Sequence, residues 1–168
     1  PDAVGGYQRF LSTDAHTYTE QGWGAEFSEL AEVLDFVPND LFIWGSEAYF
    51  SLNGNIAVAD WNASSAQWVI RDAALLSDAS YSLSHPNLVN SPDGIQLLVH
   101  VDDGSDTWIA ESYQDSGGNW RLGTQIISAS DLNVDALGGF SIVEEFGLNQ
   151  WRLFVETDVN NTRHIESM

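Results

Sequence analysis

Turn signals recur along this chain at short intervals, and they leave room for little besides sheet. Ser84 to Ser128 shows the pattern most fully. Ser91-Pro92-Asp93-Gly94 marks a turn, with Pro to fix φ and Gly to supply φ > 0. Ile95 to Val101 then reads as a strand, rich in branched residues. Asp102-Asp103-Gly104-Ser105-Asp106 is a second polar turn. Thr107 to Tyr113 is the next strand, Gln114 to Asn119 a third turn, and Trp120 to Ile127 the last strand. The stretch is expected to form one complete four-stranded antiparallel unit.

The flanks follow the same grammar. Tyr7 to Ser12 reads as a strand, and Thr13 to Gly22, with His16 and Tyr18, as polar connector. Ala25 to Phe36 carries the helical signal: Phe27, Leu30, Ala31 and Leu34 fall at helical spacing and Pro38 stops the run. A short strand is the competing reading there. Leu41 to Ser51 is expected as a strand ahead of the hairpin turn Leu52-Asn53-Gly54. Asn55 to Asp60 alternates, with Ile56 and Val58 on one face. Trp68 to Ile70 is a further strand, and Ser77 to Ser84 a connector. Beyond the central unit, Ala129 to Gly139 links to strands at Phe140 to Glu145, Trp151 to Thr157 and Thr162 to Ser167, with a turn at Gly147-Leu148-Asn149.

These pieces repeat. Leu98 to Ser112 aligns with Leu153 to Ser167 without a gap at an offset of 55, both ending in Glu-Ser. Ile56 to Trp68 aligns with Ile109 to Trp120 through one insertion. The unit of roughly 50 residues has a period typical of repeat arrays. The expected fold is therefore all-β, one domain over 1–168: a propeller-like array of about three four-stranded antiparallel units at 41–76, 84–128 and 139–168. Residues 1–40, with the strand and helix read there, fall outside these units. An incomplete propeller is the leading form, and a β-sandwich or barrel the alternative.

Tyr113 to Trp120 resembles the Asp-box of sialidase-like propellers, in which Ser or Thr is followed by x-Asp-x-Gly-x-Thr-Trp. Asp115, Gly117 and Trp120 stand at matching positions, while Tyr113 and Asn119 depart from it. The expected roles are structural: Asp115 accepts backbone N–H bonds across the turn, Gly117 permits positive φ, and Trp120 lies back over the hairpin. The run from His85 through Gly94 is similar to a blade start in sialidases and in five-bladed arabinanase-like glycosidases. The resemblance implies a β-propeller of four-stranded blades. It does not carry over a catalytic residue. Three units are too few for a ring of five or six blades, so a fragment, a homo-oligomer or another all-β architecture stays open. Pro1 at the start suggests a mature or trimmed product.

Charge narrows the partners. The chain of 168 residues has 25 acidic and 5 basic side chains, a net charge of −20. All the basic residues are Arg. Such a surface repels nucleic-acid phosphates and anionic lipid, so neither nucleic acid nor membrane is an expected partner. No apolar run is long enough to span a bilayer. An acidic, lysine-free surface suits high salt. The expected setting is extracellular or periplasmic, or else the cytoplasm of a high-salt organism. Cysteine is absent, which excludes disulfides and thiolate metal sites.

A sialidase needs clustered Arg residues for a carboxylate, and the five here are dispersed. A neutral glycan is the better expectation, bound or hydrolysed by a carboxylate pair. Glu47, Asp60, Asp102, Asp103, Asp106, Glu144 and Glu145 are available, yet solvated acids are the simpler reading for each. Asp102, Asp103 and Asp106 could hold Ca²⁺ through hard oxygens, against a plain hairpin turn; no other cofactor is expected. His100 is a candidate ligand-binding residue, with a packed or surface histidine as the bland reading; His16, His85 and His164 are scattered. Trp61 and Trp108 sit beside polar turns and could stack on sugar rings, whereas Trp68 and Trp120 belong to the core. The competing function is a non-catalytic protein-interaction or oligomerisation module.

Overall fold

A computed structural model describes residues 9–12, 18–21, 40–65, 67–91, 94–145 and 150–168. The helix expected at Ala25 to Phe36 lies outside them. A short ladder joins β1 (Arg9–Ser12) to β2 (Tyr18–Gln21). Three antiparallel meanders follow. The first sheet holds β3 (Phe42–Trp44), β4 (Glu47–Leu52), β5 (Asn55–Asn62) and β6 (Gln67–Leu76) in chain order. The second holds β7 (Ser82–Ser91), β8 (Gly94–Asp102), β9 (Thr107–Gln114) and β10 (Trp120–Ser128). A helical turn, α1 (Ala129–Leu132), leads to the third: β11 (Ala136–Glu145), β12 (Gln150–Val159) and β13 (Thr162–Ser167). The fold is all-β, with no closed barrel among the described strands, and the sheets have the arrangement expected of an incomplete propeller.

Turn chemistry sets the meanders. Leu41 to Ser51 is not one strand, because Gly45 at φ 62° lets the chain reverse and pair Trp44 with Glu47. Asn53 and Gly54, at φ 53° and 76°, make the next hairpin, and Asn160 and Asn161, at 53° and 60°, the last. In α1, Ser128 and Asp131 form a reciprocal capping box, and Asn133 closes the turn in the left-handed region.

The sheets stack face to face. Tyr49, Ile56, Val58 and Leu76 of the first meet Leu83, Leu97, Val99 and Val101 of the second. The other face of the second sheet, with Val89, Leu98 and Ile109, meets Leu137, Phe140 and Val155 of the third. Strand β8 is thus apolar on both faces, since both are covered. Ala48, Phe50, Ala57, Ala59 and Trp68 form a further cluster on the rear of the first sheet.

The repeat is present, with one correction to its register. Val99 pairs with Ala110 as Val155 pairs with Glu166, so β8–β9 maps onto β12–β13 at an offset of 56, not 55. Faces agree: Val99 packs back on the first sheet and Val155 back on the second. A one-residue slip would point every matched side chain the wrong way. The same pairing rule sets Val58, rather than Ile56, in the place of Ile109, on the same face. By that rule Trp68, paired with Trp61, takes the place of Leu122, paired with Ser112, so Trp68 and Trp120 lie two residues out of correspondence on the equivalent face. From each of them onward β6 and β10 run through nearly the same sequence of burial, and both strands bulge out of register with their neighbours.

Candidate functional site

A cleft of about 710 Å³ opens between the first and second sheets, a size suited to a small ligand. The Gly45-Ser46 turn carries Trp44 and Glu47 to its rim as a cross-strand pair. Trp44 is 36% exposed and stacks on Phe42, ring centres 6.4 Å apart. Opposite, β9 presents Ser112 and Gln114 and β10 presents Trp120, while Glu111 and Tyr113, the latter 56% exposed, border the cleft from the other face of β9. With Tyr49, four aromatic residues and two carboxylates therefore line one cleft.

Its polar groups are held in place. Glu47 Oε1 lies 2.7 Å from Arg71 Nη1, and its Oε2 accepts a hydrogen bond of 2.8 Å from the Tyr49 hydroxyl. Arg71 Nη1 also lies 3.1 Å from Asp60. Burial, reinforced by the adjacent Glu47, raises the Tyr49 pKa well above its ordinary value, so this hydroxyl remains a donor across the working pH range. The Ser112 hydroxyl is committed to the Leu97 carbonyl. Glu47 is thus a fixed hydrogen-bond acceptor, and the aromatic faces supply flat apolar surface beside it.

The two tryptophans expected to stack on sugars lie elsewhere. Trp61 is half-buried against Trp68, edge to face with centres 5.6 Å apart, on the rear of the first sheet. Trp108 packs edge to face on Tyr81 at 5.2 Å. Proximity to a polar turn did not leave them exposed, because strand alternation turned both rings inward. Trp44, Tyr113 and Glu111 were missed. The available signal for Trp44 was the Gly-Ser pair behind it, concealed inside an apparently continuous strand.

Asp102, Asp103 and Asp106 do not converge on a cation. Asp102 Oδ1 accepts the Gly104 N–H at 2.7 Å. Asp103 Oδ1 accepts the N–H groups of Ser105 and Asp106, both at 2.8 Å. Asp106 accepts from Thr107 N–H and from the Ser130 hydroxyl. These bonds make the segment a self-bonded turn, and donation from Asp106 N–H leads the effects that lower the Asp103 pKa. Among the described residues no three His, Asp or Glu side chains gather in metal-binding geometry. The side chains of Glu144 and Glu145 lie outside the described set.

Asp115 does organise its turn. Its Oδ1 accepts from Gly117 N–H at 2.9 Å and Asn119 N–H at 3.0 Å, and its Oδ2 from Arg121 Nε at 3.0 Å. The Asn119 N–H is the main cause of its lowered pKa. The positive φ, 80°, belongs to Gly118 rather than Gly117. Gly117 is needed for space: a Cβ there would stand 3.0 Å from Asn119 Nδ2 and 3.2 Å from Asp115 Oδ1. Trp120 packs on the core between the first two sheets and lines the cleft. His100 is buried between the second and third sheets, remote from the cleft lining.

Compared with known proteins, the chain matches no family model, no curated protein and no solved structure. Among the described residues no helix is long and apolar enough to cross a membrane.

Proposed function

We propose that this protein binds a neutral glycan in the cleft between its first two sheets. The observation that carries the reading is the grouping of Trp44 and Trp120 with the acceptor Glu47, bordered by Tyr113 and Glu111. Flat apolar rings suit the C–H faces of a sugar, and the fixed carboxylate of Glu47 suits its hydroxyls. A surface of net charge −20 disfavours an anionic sugar. Binding is better supported than hydrolysis. Glycoside cleavage needs two carboxyl groups free to reach the scissile bond, whereas Glu47 is engaged by Arg71 at 2.7 Å and by the Tyr49 hydroxyl at 2.8 Å. The Asp-box resemblance at Asp115 to Trp120 supports the same family of functions.

A glycan array followed by calorimetry tests the proposal. Trp44→Ala and Tyr113→Ala should each weaken binding about tenfold, the scale of one lost ring contact. Absence of affinity for any neutral glycan, or affinity indifferent to both changes, overturns it. A second reading, an interaction module, draws on β13: all six of its residues are exposed, and among the described strands it pairs only with β12.

A further inference from the structure

Because the second and third sheets repeat one pattern, each position in one can be compared with its counterpart in the other. At the offset of 56, Leu98, His100 and Ile109 correspond to Phe154, Glu156 and Ile165. One strand earlier, Val89 pairs with Gln96 as Val143 pairs with Arg152, so Val89 and Val143 correspond as well. Val89, Leu98 and Ile109 are buried, and they form the face on which the third sheet packs. Their counterparts make the outer face of the third sheet. There Val143 is 51% and Ile165 76% exposed, with Phe154 half-buried on the strand between them. The kind of face that joins sheets inside this molecule is thus left open on its third sheet, and an open apolar face of this kind marks a contact surface.

The polar groups of this face indicate what covers it. At the buried seam, His100 Nε2 reaches the Leu137 carbonyl of the next sheet at 2.9 Å. Its counterpart Glu156 is instead joined to Arg163 on its own sheet at 2.9 Å. Strand alternation places Arg152 and Asp158 on the same face as these two. Among the described side chains, then, two arginines stand with two acids, on a chain that has 5 basic residues against 25 acidic ones. A balanced patch on a molecule of net charge −20 is where a second copy meets little local repulsion. A two-fold axis also lets the arginines of one copy approach the acids of the other. Head-to-tail stacking is blocked, because on the rear of the first sheet Ala48, Phe50, Ala57 and Ala59 are fully buried. Both faces of the second sheet are covered too. Of the faces of the three meanders, the outer face of the third is the one left to serve as its own mate.

We infer that the outer face of the third sheet is a self-docking surface, pairing two copies of the chain face to face about a two-fold axis. Three strands about 4.8 Å apart and up to ten residues long bury roughly 900 Å² between two copies, which places the dimer in the weak, reversible class. The surface is separate from the glycan cleft and does not depend on that reading.

Sedimentation equilibrium of the full chain tests the pairing. In about 1 M NaCl, where the repulsion between copies is screened within about 3 Å, concentrations up to about 1 mM should give a monomer–dimer equilibrium that stops at two. Val143→Asp and Ile165→Asp should each weaken the dimer at least about tenfold, since the two-fold brings each new carboxylate into the contact twice. Both side chains are exposed in the single copy, so neither change disturbs the core. Val143 lies on β11, at the opposite edge of the sheet from β13, so a dimer made by joining two β13 edges would ignore its replacement. Ile126→Asp, at a residue 48% exposed on β10, should leave the dimer unchanged. A monomer at every concentration overturns the assignment and leaves the face to a sheet of another protein. A dimer indifferent to Val143→Asp, one weakened equally by Ile126→Asp, or an open-ended assembly overturns it as well.

Discussion

His100 shows how one side chain can tie stability to pH. Burial holds its folded pKa below the ordinary 6.5. In the unfolded chain the ring takes up a proton below about pH 6.5, while the folded protein resists doing so. The unfolded state then binds more protons, and stability falls as pH drops from 7 towards 5. Urea denaturation at pH 7 and 5.5 should record that loss, and His100→Gln, which can still donate to Leu137 O, should flatten it. Asp103, Asp115 and Asp131 act in a lower window. Their folded pKa values are depressed from 3.8, so their contribution is present above that value and disappears as pH falls through the folded pKa. Asp115 was legible in the sequence because its bonds are local. The neighbouring glycines were assigned the wrong way round, since spacing alone does not reveal which of two takes φ 80°. Gly118→Ala should cost about 1–2 kcal/mol for that left-handed backbone, measured by chemical denaturation.

At the level of elements, repeated positions in this chain do unequal work. Ile109 and Ile165 correspond at the offset of 56, yet Ile109 is fully buried and Ile165 is 76% exposed. Ile109→Ala should cost about 2–5 kcal/mol by losing packed methyl groups. Ile165→Ala should stay within about 0.5 kcal/mol of the parent. Equal losses at the two positions would refute the face assignment. Most strands and turns were readable because Gly, Asn and Asp stand where the chain reverses. The register of the repeat was not. Glu111-Ser112 and Glu166-Ser167 resemble each other strongly enough to draw the alignment one residue off. Strand β8, apolar on both faces, offers no alternation to correct it.

Across the whole molecule, charge acts on stability in a way that no single contact explains. Net charge of −20 stores self-repulsion that dissolved salt screens. The thermal midpoint should therefore rise as NaCl goes from about 0.05 M to about 1 M, where the screening length shrinks to about 3 Å. A flat or falling midpoint would show that ion pairs such as Arg71–Glu47 outweigh the repulsion. The cleft was invisible to a linear reading because its walls come from β3, β4 and β6 on one side and β7 to β10 on the other. Only the stacking of sheets brings Trp44 and Trp120 to one cleft.

Strand β13 gives that repulsion a second meaning. Its outer backbone pairs with no other described strand, which makes it a template for another extended chain. Mutual repulsion between copies is then a guard on an otherwise adhesive rim. Near pH 4.1, where the net charge vanishes, that guard is withdrawn while the rim persists, and molecules should begin to join strand to strand into growing filaments.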